Sequence, residues 1–476
     1  MGNRYLEGVF APVQREYTLT DLPVTGAIPD HLDGRYLRNG PNPVGELDPA
    51  LYHWFSGDGM VHGIRLRDGR AEWYRNRWVR GPVTSVALGE TPVVRGVSGI
   101  GANTNVIGHA GRTLALVEAG LANYELTEEL ETTGVCDFGG TLSGGYTAHP
   151  KRDPDTGELH AVSYSFRSGN TVRYSVIGTD GRARRTVDIQ VGGAPMMHDF
   201  SLTEKYVVLY DLPVTLDPRL SAEMAVPRGL RLPARLLLSA LIGRIRLPNP
   251  PVSQRHEPPR DRRLPYAWNP RYQARIGIMP REGGNADVRW FEIEPCYVFH
   301  PLNAYDDGDT VVLDVVRHPK MFDTDRLGPS DGAPTLDRWE VDLNAGKVRQ
   351  HRFDDRAQEF PRIDERRVGK RHRYGYAPAV RGGGDGDSVL YKHDLVTGVT
   401  AQRSFGAGKG LGEFVFQASG PDAAEDDGVL MGFVYDAPSD RSELAILDAG
   451  TLETVASVQL PHRVPAGFHG SWIPAA

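Results

Sequence analysis

The chain has 476 residues, of which 40% are hydrophobic and 24% are charged, and its formal net charge is −7. This composition is typical of a globular protein, and the acidic balance predicts that nucleic acid is not a partner. The N-terminal segment carries charged side chains and no apolar run, and nowhere do we find the roughly 18 apolar residues that span a bilayer. Only two cysteines occur, Cys136 and Cys296, and we expect them to be buried in a cytoplasmic protein.

Short strand-like runs separated by glycine-bearing turns recur along the chain. One pair surrounds residues 178–181, and others surround 344–346, 397–398 and 448–450. Such turns indicate β-hairpins. Counting weaker examples, seven turns lie about 50–60 residues apart, with one gap about twice as long. The period predicts an all-β fold, a seven-bladed β-propeller that forms a single domain over residues 1–476, with a pair of large β-sandwiches as the alternative.

The long gap holds an insertion at about residues 217–261. Within it we predict one helix, from Ala234 to Arg246, because four apolar residues recur there at helical spacing. Arginines flank this segment, so it reads as a basic amphipathic helix that can lie in a membrane interface. The alternative is a helix that packs over the core with a solvated arginine face. The apolar face comprises Leu237, Leu238, Leu241 and Ile245.

Four of the 15 histidines stand among apolar or aromatic residues at predicted strand ends. A buried neutral imidazole is costly unless it forms a hydrogen bond or binds a metal. The four are separated by about one, two and three blades, so they would meet where the blades converge. No HxH or HExxH motif is present, and spacing alone leaves a structural role open. Four imidazoles would suit iron and leave positions for O₂ and water. These residues are His149, His198, His300 and His469.

Four sequence runs are distinctive: GRYLRNGPNP at 34–43, WFSGDGMVH at 54–62, YRNRWVR at 74–80 and EDDGVL at 425–430. Through them the chain resembles the carotenoid cleavage oxygenases over nearly its whole length, although members often have Asp where Ser56 stands. The resemblance implies a propeller with a helical and loop cap over an axial Fe(II). We interpret the turns at 39–43 and 57–59 as scaffold, in which His62 packs or forms a hydrogen bond.

The family pattern also assigns site residues. It implies that the iron ligands are the four histidines named above and that three glutamates orient those ligands without binding the iron themselves. All seven positions are filled as the pattern requires. The three glutamates are Glu118, Glu359 and Glu413.

The implied function is a non-haem Fe(II) dioxygenase that uses O₂ to cleave a C=C bond of a carotenoid or apocarotenoid into two carbonyl products. Because such a polyene dissolves in membranes, membrane contact through the segment from Ala234 to Arg246 is favoured, at the inner face of the membrane. Cleavage of a stilbene or phenylpropanoid is the alternative, but members with that activity tend to carry Lys where Val117 stands. An isomerohydrolase and a non-catalytic binding propeller, which would need no metal, are less favoured.

Overall fold

The computed structural model describes residues 2–475 except 95, 98, 143, 247–258, 329 and 381–386. Strands β1–β9 are Tyr17–Leu19, Val24–Gly26, Gly34–Pro41, Gly59–Arg67, Arg70–Trp78, Asn105–His109, Arg112–Leu116, Asn123–Leu126 and Thr132–Cys136. Strands β10–β19 are Lys151–Arg152, Leu159–Ser163, Thr171–Ile177, Ala183–Gln190, Phe200–Leu202, Tyr206–Asp211, Val214–Leu216, Tyr266–Trp268, Arg275–Pro280 and Arg289–Glu292. Strands β20–β26 are Tyr297–Asp307, Thr310–His318, Thr335–Asp342, Lys347–Asp354, Tyr374–Pro378, Val389–Asp394 and Val399–Ser404. Strands β27–β32 are Lys409–Leu411, Val415–Ala418, Gly428–Asp436, Arg441–Asp448, Thr454–Gln459 and Gly470–Pro474.

Helices are few among the described residues. The α-helices are α1 Pro82–Ala87, α2 Pro218–Ala225 and α3 Arg231–Leu241. The short 3₁₀ helices are Arg4–Leu6, Gly8–Phe10, Pro49–Leu51, Trp54–Ser56, Arg228–Leu230, Asn285–Asp287 and Glu365–Arg367. No helix in the described part of the chain is long and apolar enough to cross a membrane.

The strands form seven antiparallel blades, which confirms the predicted propeller. Four blades use consecutive strands, namely β6–β9, β10–β13, β20–β23 and β24–β26. A fifth, made of β14, β15, β18 and β19, is interrupted by the separate pair β16 and β17. The remaining two blades combine both ends of the chain: β32 pairs with β3, and β2 pairs with β31. These two pairings close the ring, so that neither end of the sheet array is left as a free edge.

Burial follows the position of each strand in its blade. Strand β3 is buried along its whole length, because neighbouring blades cover both of its faces. The outer strand β13 instead alternates between exposed and partly buried residues along most of its length, as expected where one face meets solvent. The core lies between the faces of adjacent blades, and its largest cluster includes the fully buried Trp339, Tyr174 and Phe200.

The hairpins predicted from turn residues are present. The turn at 178–181 joins β12 to β13, and Gly181 adopts a φ of +75°, a conformation that favours glycine. The turns at 344–346, 397–398 and 448–450 likewise join β22 to β23, β25 to β26 and β30 to β31. Cys136 and Cys296 are free and buried, as expected.

Two details differ from prediction. The helix predicted from Ala234 to Arg246 runs instead from Arg231 to Leu241, and a second helix, α2, precedes it. The helix starts earlier because the first turn of a helix tolerates Pro233, and it ends earlier because the backbone of Ile242, with φ −58° and ψ 131°, leaves the helical region. The spacing between His198 and His300 spans one blade rather than two, since the extra residues belong to the insertion between β16 and β17. Part of that insertion, 247–258, lies outside the described residues.

Candidate metal centre

The four histidines singled out in the sequence meet at one place. His149, His198, His300 and His469 are buried, and one nitrogen from each lies within 4.8 Å of the others. Nε2 of His198 and Nε2 of His300 are 3.2 Å apart. A metal ion bound to imidazoles at about 2.1 Å would place adjacent ligands about 3 Å apart and opposite ligands about 4.2 Å apart. The spread of the nitrogens therefore fits one metal ion.

Blade geometry explains why residues so far apart in sequence come together. His149, His198 and His469 stand one or two residues before β10, β14 and β32, which are edge strands of three different blades. His300 lies within β20, where the pairing with β21 is irregular between Val298 and Pro301. Equivalent edges of the blades converge in a propeller, so side chains placed there project towards one centre.

The three predicted glutamates come from the remaining blades. Glu118 follows β7 by two residues, and Glu413 lies between β27 and β28. Glu359 belongs to a short segment that makes isolated bridges to the β24 region, Gln358 with Ala379 and Arg362 with Tyr376. Together with the four histidines, each of the seven blades thus contributes one of the seven residues.

Glu359 bridges two imidazoles. Its Oε2 accepts hydrogen bonds from Nδ1 of His300 at 2.6 Å and from the Phe360 amide at 2.5 Å, while its Oε1 accepts from Nε2 of His318 at 2.7 Å. Burial alone would raise the pKa of this carboxyl, but His300 and His318 hold it well below the usual range. Glu359 is therefore an ionised acceptor that directs Nε2 of His300 towards the centre.

Glu413 plays the same part for His469. Its Oε1 accepts from Nδ1 of His469 at 2.9 Å, and its Oε2 accepts from the Gly470 amide at 2.9 Å. Arg362 lies 3.5 Å from the same carboxylate. Burial opposes ionisation, but Arg362 and His469 together lower the pKa of Glu413 to about 2. The ring of His469 is thus held by a permanently charged acceptor.

Glu118 approaches His198 less directly. Nδ1 of His198 lies 2.8 Å from Oε2 of Glu118, but the ring N–H is not aligned with that oxygen, so the contact is an ion-pair distance and not a linear hydrogen bond. Burial lowers the pKa of His198, yet the neighbouring Glu118 outweighs burial and raises it. No glutamate of the described residues stands beside His149 in this way, and burial and the other imidazoles hold the pKa of His149 well below the ordinary value.

Two backbone positions beside these carboxylates are strained. Ala119, next to Glu118, has a φ of +63°, and Phe360, next to Glu359, has a φ of +52°. Left-handed conformations cost free energy for residues other than glycine and recur at functional sites. Phe360 also stacks on His300, with ring centroids 5.3 Å apart. Both left-handed residues thus lie directly beside glutamates that contact the histidine cluster.

A cavity of about 1460 Å³ opens onto His198, His300 and His469. Most small-molecule sites are smaller, at roughly 300–1,000 Å³. Helix α3 contributes Leu238 to the wall, followed by Ile242, so the insertion caps the same space. Apolar side chains form much of the remaining wall, among them Phe55, Val117, Met196, Phe299, Phe360 and Phe468. The space therefore fits a large ligand that is mostly hydrocarbon.

Sequence reasoning overlooked several residues here. His318, Asp199 and Lys151 contact the residues of the centre but belong to no local motif. Phe55 packs against Phe299, which in turn contacts His198. The predicted scaffold role of the adjacent turn at 57–59 agrees with the buried ion pair between Asp58 and Arg262 at 2.8 Å. His62 bonds Tyr74 at 2.8 Å, again as scaffold.

The centre fits a metal by its donor set. Nε2 of His149 is buried and has no hydrogen-bond partner among the residues that the structure describes, and an orphaned nitrogen of this kind is costly unless a ligand satisfies it. No carboxylate from the described part of the chain belongs to the cluster of four donor atoms. Four neutral imidazoles suit a first-row transition metal such as iron, whereas protein zinc sites commonly include thiolate or carboxylate ligands.

Comparison with known proteins agrees with this description. Residues 10–474 match the family model described as RPE65, retinal pigment epithelial membrane protein. A carotenoid cleavage oxygenase of Mycobacterium tuberculosis is 60% identical over 490 residues, covering 99% of this chain and 98% of that protein. A lignostilbene dioxygenase of Pseudomonas brassicacearum superposes with a TM-score of 0.83 at 26% identity, covering 100% of both chains. Cobalt-substituted apocarotenoid oxygenase of Synechocystis gives 0.79 at 27% identity, covering 98% of this chain and 97% of that one. The chain therefore belongs to the RPE65 family of carotenoid cleavage oxygenases.

Proposed function

We propose that this chain is a non-haem iron(II) dioxygenase that cleaves one C=C bond of a carotenoid or apocarotenoid into two carbonyl products. One observation carries the proposal: four buried imidazoles form a cluster of donor atoms without a carboxylate among the described residues, and three of them line a large apolar cavity. The family is metal-dependent, and iron is our choice among metals because imidazole ligands suit it. We also propose that the chain acts as a single domain.

The histidines, the glutamates and the cavity wall have separate roles in this proposal. His149, His198, His300 and His469 would hold the iron, which when bound supplies the activation of O₂. Glu359 and Glu413 fix two of the rings through hydrogen bonds to Nδ1. The cavity wall would hold one double bond beside the centre and exclude water, which is catalysis by positioning. The C=C and O=O bonds break and two C=O bonds form, so that both oxygen atoms enter the products and no external reductant is needed.

The lining of the cavity favours a polyene over a phenolic alkene. Val117, directly before Glu118, is buried in the wall and offers no side-chain donor for a hydroxyl group. We expect Val117→Lys to lower turnover of an apocarotenal by at least tenfold, because an ammonium group would be left unpaired in an apolar wall. Val117→Leu is the matched control of similar polarity. If the lysine variant turned over the apocarotenal as fast as the wild type, the proposed preference for a polyene would be contradicted.

The first test is metal analysis followed by O₂ uptake. Purified protein should bind about one iron per chain, and after Fe(II) is restored it should consume one O₂ for each apocarotenal cleaved. Iron binding without cleavage of the polyene, but with cleavage of a stilbene, would favour the alternative substrate class. Failure to bind iron, even after reconstitution, would refute the proposed centre.

We further propose that the cap contacts the cytoplasmic face of a membrane, from which an apolar substrate would enter. Leu236 and Leu237 of α3 are 65% and 60% exposed, and the nearby Arg228 and Arg235 are also exposed. Exposed apolar side chains beside arginines suit an anionic bilayer surface. Replacing both leucines with serine should reduce co-sedimentation with phosphatidylglycerol vesicles.

A matched control for this test is available. Val396 and Val399 are equally exposed, at 69% and 63%, and lie at the turn between β25 and β26. Replacing them with serine should leave vesicle binding unchanged. Equal loss in both double variants, or no loss in either, would leave α3 as a helix that merely covers the cavity.

A further inference from the structure

Among the described residues, no glutamate stands beside one imidazole of the centre, and an aspartate lies in the corresponding place. Oδ2 of Asp199 lies 3.8 Å from Nδ1 of His149, and the aspartate side chain is only 2% exposed. Nε2 of His149 has no hydrogen-bond partner among the described residues. Its Nδ1 therefore faces a carboxylate, as Nδ1 does in the other three rings, and its Nε2 is left for the centre.

Other groups fix Asp199 in this position. Its Oδ1 accepts from the Phe200 amide at 2.7 Å, and its Oδ2 accepts from Nζ of Lys151 at 2.9 Å. The same Oδ2 thus faces both Lys151 and His149. Lys151 follows His149 by two residues, and Asp199 directly follows His198. The ion pair between Lys151 and Asp199 consequently links two neighbouring blades, at the two segments that contain His149 and His198.

We propose that Asp199 is the carboxylate that positions His149, and that Lys151 neutralises its charge. At 3.8 Å the contact is electrostatic and longer than a hydrogen bond, and a small rotation of the imidazole would bring Nδ1 into hydrogen-bonding distance. Glu118, Glu359 and Glu413 already surround the centre with negative charge. The ion pair with Lys151 lets the fourth ring be oriented without a further net charge. This inference rests on the metal centre proposed above.

The competing explanation is that Asp199 only anchors Lys151 and the start of β14. The two roles predict different behaviour of a bound metal. A positioning carboxylate alters the strength and geometry of metal binding when it is removed, typically by 10–100-fold in affinity. A purely structural ion pair alters the stability of the fold and leaves the metal spectrum as it was.

The test uses the full chain loaded with cobalt(II), whose visible absorption reports on its ligands. Asp199→Asn should bind cobalt 10–100-fold more weakly in competition with a chelator and should shift the absorption bands. Asp314→Asn is the matched control, since Asp314 is equally buried and paired with Arg338 at 2.7 Å. It should leave cobalt affinity and spectrum unchanged.

Two further variants separate the roles of the ion pair. Lys151→Met frees Oδ2 and should keep cobalt affinity equal to or tighter than that of the wild type, whereas Asp199→Glu should recover part of the affinity lost in Asp199→Asn. Wild-type spectrum and affinity in Asp199→Asn would overturn the inference, as would an equal loss in Lys151→Met. Failure of the wild type to bind cobalt would instead refute the proposed centre itself.

Discussion

Glu359→Gln is the most informative change in the centre, because one carboxylate serves two imidazoles. Gln has nearly the same shape, but only one of its two terminal atoms can accept a hydrogen bond. If the amide oxygen keeps the bonds to His300 and the Phe360 amide, the NH₂ group faces Nε2 of His318. His318 must then move its proton to Nδ1, a buried nitrogen that has no hydrogen-bond partner in the described part of the chain.

The size of the effect follows from these contacts. A hydrogen bond to a charged acceptor contributes about 1.5–3 kcal/mol, and a neutral one about 0.5–1.5 kcal/mol. Replacing the bond from His300 with a neutral one therefore costs about 1–2 kcal/mol, which corresponds to about 5–30-fold in metal affinity. Glu359 is buried, so we expect little relaxation around the replaced side chain.

The assay is chelator competition for the bound metal, paired with the rate of polyene cleavage. Glu158→Gln is the control, because Glu158 is half-buried and bound to Arg184, away from the histidines. A double-mutant cycle with His318→Ala should show coupling, since loss of His318 matters less once Glu359 is neutral. Unchanged metal affinity in Glu359→Gln, or strict additivity in the cycle, would refute the reasoning.

Three other outcomes are expected. His300→Ala should abolish metal retention and turnover while the circular dichroism of the β-sheets persists; retained turnover would contradict the assignment. Metal at 100 times its Kd should raise the free energy of unfolding by about 2.7 kcal/mol, which for a chain of this length raises Tm by about 3 °C. Calorimetry with and without a chelator measures this shift. Burial lowers the pKa of His160 and His372 to about 4. Between pH 4 and 6.5 the unfolded chain therefore binds more protons than the folded chain, so the free energy of unfolding should fall as the pH is lowered through that window. The fall should be less steep in His372→Gln.

Local chemistry explains which parts of the fold could be predicted. Turn residues such as Gly181 act within a hairpin, so strand pairs were predictable from a few neighbouring positions. Helix α2 was missed although Asp217 and Pro218 form a clear start, with Asp217 accepting from the Arg219 and Leu220 amides. The blade count was correct, but the insertion obscured the spacing between two of the histidines.

Several contacts in the site join residues that are far apart in the sequence. The histidines could be chosen because each stands in an unusual apolar context, and the family pattern supplied the three glutamates. Lys151 and Asp199 are 48 positions apart, and His318 and Glu359 are 41 apart. Such contacts depend on the register of whole blades, which no short pattern encodes. Likewise, Phe55 was overlooked because its contacts with Phe299 form only after the propeller closes.

The two blades that close the ring each contribute one residue to the centre. His469 precedes β32, which completes the blade that starts near the N-terminus, while Glu413 belongs to the blade that β2 completes. Their hydrogen bond at 2.9 Å therefore joins the two closing blades. The other three histidines lie on blades made from the middle of the chain. A metal held by all four would link the closure to the rest of the ring, so opening of the closing blades would release a ligand. Tight metal binding and a closed propeller are thus expected to stabilise one another.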